Sequence, residues 1–401
     1  MKVKSYFPIF DNQPDLVYLD SAATTQKPQS VIEAIVNYYS KNCSNVHRGM
    51  YYLAEQATAD YEASRTKVKV FLNAKKDKEI IFTSGTTAAL NLVGYAFLAP
   101  RLNSGQEIVV SLAEHHSNFV IWQQLAIKNN CRLRVCRLDE NYRLDLEHLS
   151  QLLTERTALI AINHVSNITG TINPIKAIAT LAKRYSIPVV VDGAQAVAHL
   201  PVDVADLGVD FYCFSGHKVY GPTGTGILYA NEKYLNQMEP WLLGGDMISK
   251  VGLDSSAWNE PPYRFEAGTP NVAGVIGLGA AMDFMTSLNW QSIAKREEDL
   301  LGQLTSGLAS RNLEIFIPES HRSALVSFAV ENIHPHDIVS LLAEKNVAAR
   351  AGFHCAEPFH RAQAKNHGTV RFSLGIYNDQ VDVKAGLDAL DYALETMRAY
   401  A

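Results

Sequence analysis

The sequence predicts a large α/β domain with a mainly parallel sheet covered on both faces, followed by a smaller α+β domain. Three observations point there. Short apolar strand segments alternate with helical segments through the first 230 residues. Polar clusters stand where five of those segments end. The alternation stops near residue 260, where Glu260-Pro261-Pro262 marks a loop.

Taken in order, residues 31–39 and 58–71 read as amphipathic helices. Residues 79–83 (EIIFT) are a strand followed by Gly85-Thr86-Thr87 and a helical run through Phe97. Strands at 107–111, 133–136, 158–163, 188–192 and 210–214 follow, with helices such as 174–185 between them. Beyond the loop, 271–308 reads as mainly helical, 323–330 and 347–350 as strands, and 381–400 as a terminal helix. This pattern fits a large α/β domain followed by a smaller α+β domain.

Composition narrows the function classes. With 36 Lys+Arg against 41 Asp+Glu, a net charge of −5 gives no electrostatic pull toward nucleic acid or an anionic membrane. Charged residues at 19% and hydrophobic residues at 47% exclude a disordered chain. The five cysteines (43, 131, 136, 213, 355) are odd in number, with no CxxC pair, so neither a disulfide framework nor a zinc ribbon is indicated. Unpaired cysteines fit a reducing, cytoplasmic setting. The N-terminal residues have no 7–15-residue apolar core before acidic and proline residues, so no signal peptide is expected. The most apolar stretch, 272–285, is too short to span a bilayer of about 20 helical residues and reads as a packed helix.

Ligands of such sheets bind outside the carboxyl ends of the strands. Here those ends carry Ser84-Gly85-Thr86-Thr87, Glu114-His115-His116, His164-Val165-Ser166-Asn167, Asp192-Gly193-Ala194-Gln195 and Ser215-Gly216-His217-Lys218. Alone, Lys218 is a surface lysine in a glycine-rich loop and Asp192 a turn residue. Together, a desolvated lysine able to form a Schiff base and a carboxylate under a pyridine nitrogen suit pyridoxal phosphate, an electron sink. Gly85-Thr86-Thr87 opens a helix after a strand, a place where amides and hydroxyls cradle phosphate. Ser215 and His217 would complete that cup, and His115 would stack on a planar ring. Cys355, in Arg350-Ala351-Gly352-Phe353-His354-Cys355-Ala356-Glu357-Pro358, has Arg350 and His354 as local cations to lower its thiol pKa, with Gly352 and Pro358 indicating an exposed loop. The other four cysteines read as structural.

These runs resemble the pyridoxal-phosphate-dependent class V aminotransferases, and within them the SufS/CsdA-type (group II) cysteine desulfurases. The resembling runs are LDSAATTQKP (19–28), NVHRG (45–49), IFTSGTT (81–87), EHHSN (114–118), HVSNITGT (164–171), VDGAQAV (191–197), FSGHKVYGPTGTG (214–226), FEAGTPN (265–271) and RAGFHCAEP (350–358). PRLNSG and TPNVAGVIGL lean toward the CsdA branch.

The resemblance implies a fold-type I homodimer, with an N-terminal segment (1–15) packing with the small domain, a large domain (16–266) holding a seven-stranded sheet, and a small C-terminal domain (267–401) carrying the cysteine loop. It implies Lys218 as the Schiff-base lysine, Asp192 as the pyridinium partner, Gln195 as donor to the phenolate oxygen and His115 as the stacking group and proton shuttle. Thr86, Thr87, Ser215 and His217 would hold the phosphate, with Thr269 supplied by the other subunit. Asn167, counted with the cofactor set as well, and Arg371 would hold the substrate carboxylate, and His47 and Arg350 would line the site. Cys355 would attack the substrate sulfur, turning L-cysteine into alanine and leaving a persulfide for a SufE/CsdE-type acceptor protein. No metal, nucleic acid or membrane is implied.

Two positions depart from the family pattern: Ala88 follows Thr87 where glutamate is usual, and Phe353 stands two residues before the cysteine. Selenocysteine lyase or cysteine sulfinate desulfinase activity is the nearest rival reading. A His354-Cys355 thiol hydrolase leaves the five strand-end clusters unexplained, and a silent sulfur-relay scaffold leaves Lys218 and Asp192 without work.

Overall fold

The computed structural model describes residues 3–400, so Met1 and Lys2 of the N-terminal segment and Ala401 lie outside the described residues. The large unit is built on strands β1 (Ile80–Thr83), β2 (Glu107–Ser111), β3 (Arg132–Cys136), β4 (Thr157–Asn163), β5 (Val189–Asp192), β6 (Phe211–Ser215) and β7 (Gly226–Ala230). They form one seven-stranded sheet in the order β1-β7-β6-β5-β4-β2-β3. Every pairing from β6 to β3 is parallel, whereas β7 runs antiparallel to both β1 and β6. The smaller sheet is antiparallel, with strands β8 (Glu314–Phe316), β9 (Leu325–Ala329), β10 (Arg350–Gly352) and β11 (Thr369–Ser373) in the order β8-β9-β11-β10.

Helices α1 (Gln29–Asn37), α2 (Tyr52–Phe71), α3 (Thr86–Leu92), α4 (Val120–Lys128), α5 (Ile175–Lys183) and α6 (Val272–Thr286) surround the large sheet. Helices α7 (Trp290–Ala309), α8 (Pro335–Glu344), α9 (Glu357–Ala362) and α10 (Gln380–Tyr400) belong with the small one. Side chains of a strand alternate between faces, so β5 sends Val189 and Val191 to one core and Val190 to the other. Burial on both faces explains why the strands read as unbroken apolar runs.

Helix α6 is apolar on all sides and packs between α1 and α2 in the core of the large sheet. The apolar contacts of the stretch after residue 267 therefore run first to the large unit. The separate core of the small sheet draws its leucines from α7 onward, together with Leu19. Among the described residues no single helix is long and apolar enough to cross a membrane.

The N-terminal segment joins the two units. Phe7 packs against Tyr220, Phe284 and Tyr377, and Lys4 bonds Asp382 at 2.8 Å. Val17–Tyr18 pairs in parallel with Val347–Ala348, and Asp20 bridges to Ser373.

A buried ion pair fixes the edge strand nearest the site. Arg65 of α2, 1% exposed, meets Glu266 with Nη1–Oε1 at 2.7 Å and Nη2–Oε2 at 3.0 Å. The same guanidinium donates to Ile80 O, and Phe82 N–H donates to Glu266 Oε1. Removing one partner strands a desolvated charge. Glu266→Ala is therefore expected to cost about 3–5 kcal/mol in urea unfolding. The double change Arg65→Met/Glu266→Leu should cost clearly less; equal losses would show that the charges are not what the strand depends on.

Candidate active site

The parallel strands β2, β4, β5 and β6 all open at one end onto a cavity of about 190 Å3 between the two units. Its wall includes Thr86, Thr87, His115, Asn167, Asp192, Gln195, Ser215, His217, Lys218, Arg350, Cys355 and Arg371. The large-unit segments among these meet because each follows a strand that ends on the same side, while Arg350, Cys355 and Arg371 come from the small unit.

At one end of the cavity the turn from β1 into α3 wraps around Ser215. Thr86 N–H donates to Ser215 Oγ at 2.8 Å, and the two hydroxyls lie 2.7 Å apart. The approach is close: a Cβ on Gly226 would sit 2.4 Å from Gly85 Cα, so only glycine fits beside this turn. His217 faces the cavity while its carbonyl accepts from Thr25 N–H and from the hydroxyls of Thr24 and Thr25. Burial, with Lys218 and Lys27 nearby, pushes the His217 imidazole down to about 4.

The centre holds opposed charges. Burial pushes the Asp192 carboxyl up, offset by a hydrogen bond from Ala194 N–H at 3.0 Å and by Lys218. Burial pushes the Lys218 ammonium down to about 8 against the pull of Asp192. Its neutral, nucleophilic form is thereby accessible near neutral pH. Gln195 Nε2 donates one proton to Ala22 O at 2.8 Å, leaving the other free. Burial and the cations Lys218, Arg350 and Arg371 hold His115 neutral, with its pKa down to about 3. Its Nδ1 accepts from Ser117 N–H, so the neutral ring carries its proton on Nε2.

Beneath His115 lies a buried carboxyl. Glu114 accepts from Ser111 Oγ (2.5 Å), Asn118 Nδ2 (2.6 Å) and Asn163 N–H (3.0 Å). Burial still pushes it up to about 7.

Arg371, 2% exposed, donates from Nη1 to Asn167 O at 2.9 Å and from Nη2 to Asp20 at 3.2 Å. Its Nε has no partner, and neither does His354 Nδ1. Both residues line the cavity, each with one buried polar atom that bonds nothing within the chain.

Cys355 sits between β10 and α9, with His354 at φ 49° and Cys355 at φ 58°. Two successive left-handed residues fold the chain back and turn the thiol toward the cavity. Arg350 Nη2 is 3.9 Å from Sγ, and Asn167 Nδ2 donates to His354 O at 2.6 Å. Residues 17–385 match the family model for class-V aminotransferases.

The chain belongs to the class-V aminotransferase family.

Relatives and solved structures agree along almost the whole class-V chain. A probable cysteine desulfurase of Halalkalibacterium halodurans is 43% identical over 403 residues, covering 100% of this chain and 98% of the relative. The crystal structure of the cysteine desulfurase CsdA from Escherichia coli superposes with a TM-score of 0.92 at 41% identity, covering 98% of each chain. The apo structure of a cysteine desulfurase from Thermococcus onnurineus NA1 gives 0.94 at 36% identity, also covering 98% of each.

In this class-V chain His47, expected to line the site, lies outside the main cavity, and Thr269, expected from the other subunit, stands at the surface. His47, at φ 70°, is bonded through Nε2 to Glu62 and lines a second cavity with Gly268 and Pro270. Thr269 is exposed beside it, outside the main cavity of its own chain. The surroundings of Cys355 also differ from expectation. Its loop is half-buried rather than exposed, because His354 is packed inside with Nε2 3.0 Å from Thr369 Oγ1. Burial, with Arg371, His360 and Arg350 close by, holds His354 neutral, so Arg350 is the local cation. Sequence reasoning missed the ties made by Asp20 and His116; the run EHHSN was the only hint of the latter.

Glu114 gives a pH signature. The folded protein holds a proton on this carboxyl that the unfolded chain releases above about 4.5, its usual value. The stability it contributes is therefore full below pH 4.5 and is lost as pH rises toward 7. Glu114→Gln should remove that decline, read as a wild-type-minus-variant stability difference that shrinks from pH 4.5 to 7.5 in urea titrations. A difference that stays constant with pH would refute the assignment.

Proposed function

We propose that this protein is a pyridoxal-phosphate-dependent cysteine desulfurase that converts L-cysteine to L-alanine and carries the sulfur away as a persulfide on Cys355. The observation that carries the reading is the convergence of Lys218, Asp192, Arg371 and Cys355 on one cavity. An acyl-transferring thiol enzyme would have no use for the first two in that place.

The residues present fit the cofactor. Asp192 would lie under the pyridine nitrogen, Gln195 would use its free Nε2 proton on the phenolate oxygen, and His115 would stack on the ring. The turn at Thr86 and Thr87, with Ser215 and His217, would hold the phosphate, joined by Thr269 of a second copy. Pyridoxal phosphate, when bound, supplies an electron sink for negative charge developed at the substrate Cα.

The chain's own groups then have definable tasks. The unpaired Nε of Arg371 and the Asn167 amide are suited to the substrate carboxylate, an arrangement whose charged hydrogen bonds fix orientation. Lys218, with its depressed pKa, takes the α-proton at Nζ. Cys355 thiolate attacks the substrate sulfur: its electron pair forms the S–S bond, while the Cβ–S pair stays on carbon and is protonated. L-Cysteine, a thiolate and one proton thus become alanine and Cys355–S–SH; the substrate carbon is reduced and the enzyme sulfur oxidised. Arg350 Nη2 lies 3.9 Å from the attacking sulfur.

An acceptor protein of the SufE/CsdE type, a homodimer that completes the site, and a cytoplasmic location belong to the same reading. The five free cysteines are consistent with a reducing compartment.

Reconstituted protein should show the visible band of bound cofactor, altered by L-cysteine. Cys355→Ala should keep that band and lose persulfide and sulfide formation, whereas Lys218→Ala should lose the band. Full turnover in Cys355→Ala would remove the thiol from the mechanism. Rates on L-cysteine, selenocysteine and cysteine sulfinate measured side by side assign the preferred substrate; a large preference for either of the latter would favour the lyase or desulfinase activity over the desulfurase.

A further inference from the structure

We propose that His116 is a positioning residue that holds the Cys355 thiol in its attacking place, an inference that rests on the desulfurase reading. His115 turns into the cavity; its neighbour His116 turns toward the thiol loop. His116 N–H donates to Cys355 O at 2.6 Å. Its Nε2 accepts from Glu357 N–H at 3.1 Å.

The second bond caps a helix from far away in sequence. Helix α9 starts after Ala356, whose side chain has no acceptor to offer the first-turn amides. The imidazole of a residue 241 positions earlier takes that place. Among the described residues, these are the two hydrogen bonds by which the large unit grips 355–357. They grip a segment that needs gripping: the left-handed conformations of His354 and Cys355 persist only where surrounding contacts over-determine them. One short segment, Glu114-His115-His116, thus serves both sides of the reaction: His115 faces the cavity where the ring would stack, and His116 holds the backbone of the thiol loop.

The role is separable from general stability by choice of substrate. Cysteine sulfinate loses its sulfur as sulfur dioxide, with the C–S pair kept on carbon and protonated, so no thiol attack is needed. His116→Ala should slow alanine formation from L-cysteine about 10- to 100-fold, the usual penalty for a reacting atom displaced by about 1 Å. Its rate on cysteine sulfinate and its cofactor band should stay within about twofold of wild type, a margin far below that penalty. His116→Gln, whose Oε1 replaces Nε2 as acceptor, should recover most of the loss. His116→Asn, one bond too short, should not.

A second readout needs no cofactor: amide hydrogen exchange of residues 353–357 in the cofactor-free protein should speed up about tenfold in His116→Ala and return in His116→Gln. Should the alanine variant fail to fold, the glutamine–asparagine contrast carries both measurements. Equal losses on the two substrates, or unchanged L-cysteine turnover in a variant with faster exchange, would overturn the proposal. Wild-type turnover that disappears in Cys355→Ala tests the underlying desulfurase reading separately.

Discussion

A buried guanidinium organises the molecule. Arg371 lies in the centre of the small sheet, yet its hydrogen bonds go to Asn167 O in the large unit and to Asp20 near the N-terminus. An uncompensated charge at that depth would be prohibitive, so these three segments have to arrive together. The same side chain lines the cavity, and its Nε bonds nothing within the chain. The arginine that holds the two units in register is therefore also the one we propose for the substrate carboxylate. The N-terminal aromatic cluster and the Val17–Tyr18 pairing reinforce the same junction.

Around that junction, burial tunes the reactive groups in opposite directions. The Lys218 ammonium is pushed down and the Asp192 carboxyl up, and each tempers the other. The histidines at the wall, His115, His217 and His354, are all kept neutral by the same desolvation and by nearby cations. Neutral rings suit stacking and hydrogen bonding. The cationic work falls to Arg350 and Arg371, whose charge survives burial far better than that of imidazole.

Much of this was legible in the sequence because doubly covered parallel strands are apolar runs with polar residues only at their ends. Lys218, Asp192 and His115 declared themselves by standing there. The strand Gly226–Ala230 went unread because it follows the glycine-rich turn directly and runs against its neighbours. The strand Thr369–Ser373 was hidden by Arg371, a charge that belongs inside only because Asp20 meets it. The helical run 271–308 concealed a break at Asn289, whose side chain accepts from Ser292 N–H to begin α7. The environment of Cys355 was beyond local reading, since Asn167 and His116 of the large unit bond the left-handed residues His354 and Cys355, and His354 is buried against Thr369 of a distant strand.

The pairing of the N-terminal segment with the far end of the chain has a consequence for biosynthesis. Asp20 and Arg371 are 351 residues apart. At a translation rate of about 5–20 residues per second, the segment leaves the ribosome roughly 20–70 seconds before its partner exists. The seven-stranded sheet has its last strand once Ala230 has emerged and can assemble in that interval. Throughout it, the carboxylate of Asp20 and the apolar face of Phe7 and Phe10 wait without their C-terminal partners, so a nascent chain passes through a stage with a finished sheet and an open cavity.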